Sequence, residues 1–319
     1  MSLPPLIVIA GPTATGKTEL AIRLAGSLIG DGVPATIISA DSRQVYRGLD
    51  IGTAKVSPVD RARVPHEGLD LVDPPDRFAL SDFARHAHQV LDGVAASGGC
   101  AILVGGTGLY LRAVARGLPL DALPDDPSVR ARLEAEFASA GLEPLVHRLR
   151  AEAPILAATT ALANPRRVIR ALEIAELRGD GPRPVPRGYG GPVTWLGLDV
   201  ERQEHSRWIA LRAARQFAAG LVEEAVGLRE RYDPTLPCFS AIGYLEAWSV
   251  ADGSRSLDQA VADDAARNVA FAKRQRTWFR SEPDIQWLNA TAKDPMPTAL
   301  TRARALLELK PAIPHLSGR

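Results

Sequence analysis

The residues Gly11-Pro12-Thr13-Ala14-Thr15-Gly16-Lys17-Thr18 follow an apolar run, Leu6–Ala10, and precede a stretch with helical spacing (Leu20, Ala21, Leu24, Ala25). The pattern G-x-x-x-x-G-K-[ST] between a strand and a helix is a phosphate cradle. Gly11 and Gly16 allow backbone conformations that aim successive amides inward, the helix N-terminus adds partial positive charge, and Lys17 supplies a full one. Thr18 is the expected ligand of a Mg²⁺ ion bridging the phosphate oxygens. Such a cradle reads oxygens and charge, so it leaves open which phosphate compound binds.

A nucleotide-hydrolysing P-loop protein carries a second strand that ends in Asp. The best later strand here, 101–104, runs instead into Gly105-Gly106-Thr107-Gly108. The carboxylate nearest in pattern is Asp41, after the apolar run 36–40, and ligands of doubly wound folds bind at the carboxyl ends of strands. Asp41 is therefore expected to face the mouth of the cradle. On residue type alone it could be a metal ligand, a general base or a helix cap.

The elements that must position these groups follow from periodicity. Short apolar runs at 6–10, 36–40 and 101–104 alternate with helical patterns such as 83–94. This predicts an α/β fold with a parallel, doubly wound sheet over residues 1–120. From 121 a Pro/Asp-rich break gives way to apolar residues at helical spacing (Val129, Leu133, Phe137), continuing through 164–177 and ending in a Gly/Pro/Arg stretch, 179–192, expected to be a flexible loop. Residues 121–192 thus read as an inserted helical domain. A strand over 193–200 returns the chain to the sheet, and long helices are expected from Arg202 to the C-terminus, giving 193–319 as the second part of the core.

Composition bounds the function. The 319 residues carry a formal net charge of +1, so polyanion binding has to come from local clusters of basic residues. Two distant cysteines, Cys100 and Cys238, no signal-peptide pattern and no apolar run of membrane length point to a cytoplasmic protein without disulfides and without a membrane span. His86 and His88 are two apart on a helical pattern and so diverge, and no zinc site is expected.

Further motifs recur along the chain: Asp41-Ser42-Arg43-Gln44-Val45-Tyr46-Arg47-Gly48-Leu49-Asp50-Ile51-Gly52-Thr53-Ala54-Lys55, Ser81-Asp82-Phe83, Gly105-Gly106-Thr107-Gly108-Leu109-Tyr110, 164–173 (Asn-Pro-Arg-Arg-Val-Ile-Arg-Ala-Leu-Glu), 241–244 (Ala-Ile-Gly-Tyr) and 272–280 (Ala-Lys-Arg-Gln-Arg-Thr-Trp-Phe-Arg). Together with the P-loop, and in this order, they resemble the bacterial tRNA dimethylallyltransferases, also called tRNA isopentenyltransferases. The resemblance implies a monomeric Mg²⁺-dependent transferase of tRNA modification. Its P-loop holds dimethylallyl diphosphate, and the dimethylallyl group passes to the exocyclic amine of the adenosine 3′ of the anticodon. Lys17, the loop amides and Mg²⁺ would neutralise the departing pyrophosphate, and a carboxylate would take the proton of a poorly nucleophilic amine. Asp41 matches the family's general base, Thr107 a residue that contacts the target nucleotide, and Arg274 a diphosphate contact.

A base reaching a buried carboxylate must leave the anticodon stack, so the enzyme needs a groove for the loop backbone. Arg267, Lys273, Arg274, Arg276 and Arg280 form one basic run, interleaved with Trp278 and Phe279, and Arg166, Arg167 and Arg170 form another on the insert. The family match assigns Arg130, Arg166, Arg167, Val168, Ile169, Arg170, Lys273 and Arg276 to contacts with the tRNA anticodon stem-loop. It likewise assigns Ser42, Arg43 and Gln44 beside Asp41, where Ser42 and Gln44 could read base edges. The chain departs from the family pattern at Glu67, Leu245 and Val269, and Arg166 replaces a usual Gln. Arg267 stands two residues before Val269, about 200 degrees round a helix, and is expected to face away from the site. The competing reading is a P-loop kinase of a small metabolite or nucleotide.

Overall fold

The computed structural model describes residues 3–308. In chain order the elements are β1 (Leu6–Ala10), α1 (Lys17–Gly30), β2 (Ala35–Ser39), α2 (Pro58–Arg63), β3 (His66–Glu67), α3 (Leu80–Ala96), β4 (Cys100–Gly105), α4 (Gly108–Ala115), α5 (Pro127–Ala140), α6 (Leu142–Glu152), α7 (Pro154–Ala158), α8 (Pro165–Arg178), β5 (Val193–Asp199), α9 (Arg202–Ala218), α10 (Leu221–Arg231), α11 (Tyr244–Ala251), α12 (Leu257–Arg280), β6 (Ile285–Asn289) and α13 (Met296–Glu308). They fall into two compact units, Leu118–Arg187 and the remainder of the chain on either side of it.

The larger unit is built on a six-stranded sheet in the order β3-β2-β4-β1-β5-β6, with every pair parallel. β1 lies inside it with all five residues buried, which is why its sequence is continuously apolar. Its side chains alternate between two cores. Ile7 and Ile9 pack with Leu20, Leu24 and Leu28 of α1 and with α13, whereas Leu6, Val8 and Ala10 pack with Phe83, Leu91, Leu111 and Phe279. A third core joins α9 to α12 beneath Val45 and Leu49. The β6 strand corrects the expectation of helices from Arg202 to the C-terminus: its five residues pair with β5 at the sheet edge, too short and too mixed to show a period.

Order reversal of the strands around β1 and β4 puts the P-loop and the residues after β2 at the same, carboxyl edge of the sheet. Two glycines make the close approach possible. A Cβ on Gly105 would lie 2.1 Å from the Ala40 carbonyl oxygen, and one on Gly68 2.6 Å from that of Ser39.

The unit Leu118–Arg187 holds α5 to α8 around Leu133, Leu145, Leu149, Leu156, Val168 and Leu172. Asp126 caps α5 and Asn164 caps α8, each followed by proline at the first helical position. Residues 179–192 contain no helix or strand, yet Tyr189 is buried and its hydroxyl donates to the Pro4 carbonyl at 2.8 Å, so that end of the stretch is anchored and not free.

Candidate active site

The P-loop is wound as its sequence requires. Gly11 has φ 147 and Gly16 φ 84, and a Cβ on Gly11 would meet the Leu198 carbonyl oxygen at 2.6 Å. Thr15 is buried and its hydroxyl donates to the Pro12 carbonyl at 2.9 Å, and the Lys17 amine donates to the same carbonyl. Burial, reinforced by the Arg212 guanidinium and partly offset by Asp41, pushes the Lys17 amine down to about 7. The three charges are thus coupled across one small space.

Thr13 is held from three sides by residues the sequence reading did not single out. Its amide donates to Gln275 Oε1 at 2.8 Å, its carbonyl faces His205 Nε2 at 2.8 Å, and its hydroxyl accepts from Arg212 Nη1. Gln275 Nε2 donates in turn to the Gly106 carbonyl at 2.9 Å, so one side chain of α12 ties the cradle to the loop after β4. Burial, then the nearby Arg276 and Lys17 against a hydrogen bond to Thr13, lowers the His205 imidazole, which keeps it neutral with Nε2 as donor.

Asp41 stands where two cavities meet. A cavity of about 530 Å³ is lined by 13–18 of the P-loop, and a second of about 430 Å³ by Ser42, Arg43, Thr107, Arg267 and Arg274. Both are also lined by Thr13, Asp41, Thr53, Arg212, Phe271 and Gln275. Asp41 Oδ1 accepts from the Arg43 amide at 2.8 Å, so it also makes the local turn that a capping reading foresaw. Thr107 Oγ1 accepts from the Ser42 amide at 3.1 Å, and the Thr107 amide donates to Ala40 at 3.2 Å, fixing the threonine beside the aspartate. A larger cavity of about 990 Å³, walled by Ile51, Val56, Trp208 and Leu211, touches Ala14 and Gly16 but neither Asp41 nor Thr107.

Not every sequence-predicted residue has its polar atoms turned to these cavities. Gly11 and Pro12 are buried behind the cradle, and Thr13 to Thr18 line it. The Gln44 amide donates to the Thr53 and Ala54 carbonyls (3.0 and 3.3 Å), and its Oε1 accepts from the Ser39 hydroxyl at 2.7 Å, so its hydrogen-bonding groups hold a loop. Arg43 bonds to the Pro237 carbonyl and the Ser240 hydroxyl, each at 2.8 Å, and still lines the second cavity. Arg274 lines the Asp41 cavity and not the P-loop cavity, with its guanidinium over the Phe271 ring. Arg276 is bound to Asp199 (3.0 Å) and the Val200 carbonyl (2.9 Å), while Lys273 is exposed and lines neither cavity. Arg267 corrects its expectation. It lies two turns from Arg274, on the same face of α12, lines the Asp41 cavity and pairs with the buried Glu246.

In the unit Leu118–Arg187, Glu173 is fully buried and holds Arg130 at 2.7 Å, Arg170 at 2.8 Å and the Asp126 amide at 3.0 Å. Burial alone would raise this carboxyl, but the two arginines and the amide outweigh it and hold it below the usual range. Arg130 and Arg170 therefore neutralise an internal charge. Val168 and Ile169 are core residues, leaving Arg166 and Arg167 as the exposed side chains of that motif.

Among the described residues no cluster of three His, Cys, Asp or Glu side chains could cage a metal ion, and no helix is long and apolar enough to cross a membrane. Thr18 is exposed to the P-loop cavity, which suits a hard cation held by one hydroxyl and by a ligand's phosphates but not an all-protein site.

A parallel sheet with a glycine-rich lysine loop after its first strand defines a P-loop-type α/β fold, here with a carboxylate at a cavity junction. The chain belongs to the IPP transferase family, whose model matches residues 44–282. It is 41% identical over 312 residues to the tRNA dimethylallyltransferase of Roseiflexus sp. (strain RS-1), covering 95% of this chain and 99% of that one. With the tRNA dimethylallyltransferase of Thermus thermophilus it shares 41% identity over 287 residues, 88% of this chain and 91% of the relative. The crystal structure of the tRNA isopentenylpyrophosphate transferase from Bacillus halodurans superimposes with a TM-score of 0.68 at 35% identity, covering 95% of this chain and 97% of that one. A eukaryotic dimethylallyltransferase described as acting on tRNA gives a TM-score of 0.77 at 23% identity over 95% of this chain and 78% of its own, a likeness of fold.

Proposed function

We propose that the chain transfers a dimethylallyl group from dimethylallyl diphosphate to the exocyclic amine of the adenosine 3′ of a tRNA anticodon, acting as a monomer. The observation that carries this is the position of Asp41 on the shared wall of two cavities, one lined by the P-loop and the other by Thr107 and arginines. Donor and acceptor then reach one carboxylate from different sides, as a transfer between a diphosphate and a base requires.

In the proposed reaction the P-loop amides, Lys17 and Arg212 hold the diphosphate. The allylic carbon–oxygen bond breaks with its electron pair leaving on pyrophosphate, the adenine nitrogen bonds to the allylic carbon, and Asp41 takes the proton that nitrogen sheds. Thr107 orients the base. Mg²⁺, held by Thr18 and the diphosphate oxygens, would supply further charge neutralisation. In the helical unit, Arg166 and Arg167 would contact the stem-loop with their side chains and Val168 and Ile169 only through backbone, while Arg130 and Arg170, paired to Glu173, would do so with the part of each guanidinium that stays exposed. Arg274 would reach the diphosphate across the shared wall, Arg43, Arg276 and Lys273 would line the path of the loop backbone, and Ser42 and Gln44 would support Asp41.

The test is transfer of label from radiolabelled dimethylallyl diphosphate to unmodified tRNA, with AMP and with ATP plus small acceptors as parallel arms. Asp41→Ala should lower transfer by about a thousandfold or more while tRNA binding persists. Label appearing only in products of the ATP arm sinks this reading.

A further inference from the structure

Segment 50–53 lies in the second half of the Asp41 motif and contributes to every cavity described above: Asp50 and Ile51 to the largest, Gly52 to the one at Thr107, and Thr53 to both cavities that share Asp41. It belongs to no helix or strand. Its backbone is nonetheless saturated with side-chain partners. Glu224, in the first turn of α10, accepts the amides of Asp50, Ile51 and Gly52 at 3.2, 2.7 and 3.1 Å. The Tyr244 hydroxyl donates to the same carboxylate at 2.7 Å. From the other side Gln216 Nε2 donates to the Ile51 and Gly52 carbonyls at 2.6 and 2.9 Å. Three consecutive amides converging on one carboxylate is an anion nest filled from within the chain.

These bonds satisfy backbone groups that no helix or strand pairs, and they also tie the segment to the site. Gln216 lies one helical turn after Arg212 on α9, so the helix that sets the guanidinium at Thr13 also sets the segment. The Thr53 carbonyl then accepts from Gln44, which follows directly on Asp41, Ser42 and Arg43. Gly52 is pressed against the Tyr244 ring, where a Cβ would lie 2.6 Å from a ring carbon, so the segment cannot retreat. Burial, and next the Glu224 carboxylate itself, raise the Tyr244 phenol, which therefore stays a donor.

We infer that Glu224 is a positioning residue for the transfer: through segment 50–53 it fixes the wall that faces Asp41 and with it the approach of acceptor to donor. The inference rests on the proposed function. The P-loop that binds the diphosphate receives no bond from Glu224, and the three residues whose amides Glu224 holds lie outside the P-loop cavity, so its influence falls on the reaction step more than on donor binding.

The test is Glu224→Gln, which keeps size while replacing one oxygen by an amide group. In one orientation the new amide group meets the Asp50 and Ile51 amides, in the other the Gly52 amide while the Tyr244 hydroxyl can turn to accept, so at least one backbone amide loses its acceptor and the segment loosens. With tRNA as acceptor, kcat should fall about ten- to a hundredfold, the effect of roughly an ångström of misalignment, with KM for dimethylallyl diphosphate within about threefold of wild type. Donor hydrolysis without transfer should rise. Tyr244→Phe keeps the ring against Gly52, removes one of the four bonds, and should show the same split at about a few-fold; it decides the matter alone if Glu224→Gln does not fold. Wild-type kcat in the folded variants overturns the inference, as does a loss confined to KM or one that merely tracks the folded fraction. Absence of transfer by the wild type would instead remove the proposed function.

Discussion

Lys17→Met should make the fold more stable and diphosphate binding undetectable. The amine's usual value is 10.5, and burial, then Arg212, bring it to about 7 against the pull of Asp41. Between those two values the unfolded chain keeps a proton that the folded chain has released, so stability climbs with pH through that window, and the cost is greatest below pH 7. At about 1.4 kcal/mol per tenfold change in proton affinity, the drop sets a ceiling of about 5 kcal/mol. Lys17 keeps part of its surface in the cavity, and with solvent screening we expect about 2 kcal/mol near neutral pH. Methionine retains the unbranched stem and removes the charge.

Urea unfolding of both proteins at pH 6, 8 and 10, without diphosphate, should show the variant ahead and the gap closing by pH 10. Calorimetric titration with magnesium pyrophosphate gives an independent reading. A bound anion restores the charge of Lys17, so wild-type binding above pH 7 should take up a proton and its heat should depend on the buffer's ionisation enthalpy. A variant less stable than wild type at pH 7, or wild-type binding at pH 8 with no proton uptake, refutes the reasoning.

Gly105→Ala should cost about 3 kcal/mol or more, because its Cβ would meet the Ala40 carbonyl, a backbone atom that cannot swing aside. That carbonyl also accepts the Thr107 amide, so chemical denaturation should show the stability loss and transfer assays a loss of kcat as Asp41 and Thr107 part. Glu173→Gln should destabilise the unit Leu118–Arg187 by about 3 kcal/mol at pH 7, since Arg130 and Arg170 lose their buried partner. The folded carboxyl sits below 4.5, so its contribution is in place above that value and drains away as the pH falls through the depressed one; hydrogen exchange within 118–187 at pH 7 and at acid pH measures both.

The sequence shows most plainly what is decided locally. The P-loop is written in glycine spacing, β1 in an unbroken apolar run, and the position of Asp41 in the rule that parallel sheets bind at their carboxyl edges. Thr13's three partners are hidden from such reading because they act across separations of 192, 199 and 262 residues. The orientation of Arg267 was accessible: seven residues before Arg274 is two helical turns, a closer guide than its offset from Val269. For Arg130 and Arg170 the obstacle is physical. A guanidinium that neutralises a buried carboxylate has the same sequence signature as one left for RNA, and only the burial of Glu173 separates the two.

One consequence links the cradle to the rest of the site. Burial lowers both Lys17 and Arg212, the guanidinium lowers the amine further, and Asp41 opposes both shifts, with Asp264 acting on Arg212 alone, so the two basic groups compete for Asp41. A diphosphate would bring the missing negative charge, and its affinity would include relief of that repulsion as well as new hydrogen bonds. The same relief holds pyrophosphate after the transfer, so the repulsion that returns on its departure opposes release. Without Arg212 burial, the larger cause, would still lower the Lys17 amine, but by less, so the relief on binding an anion would be smaller. The cation on α9 is therefore as much a part of the cradle as the lysine of the loop, although 195 positions separate them in the chain.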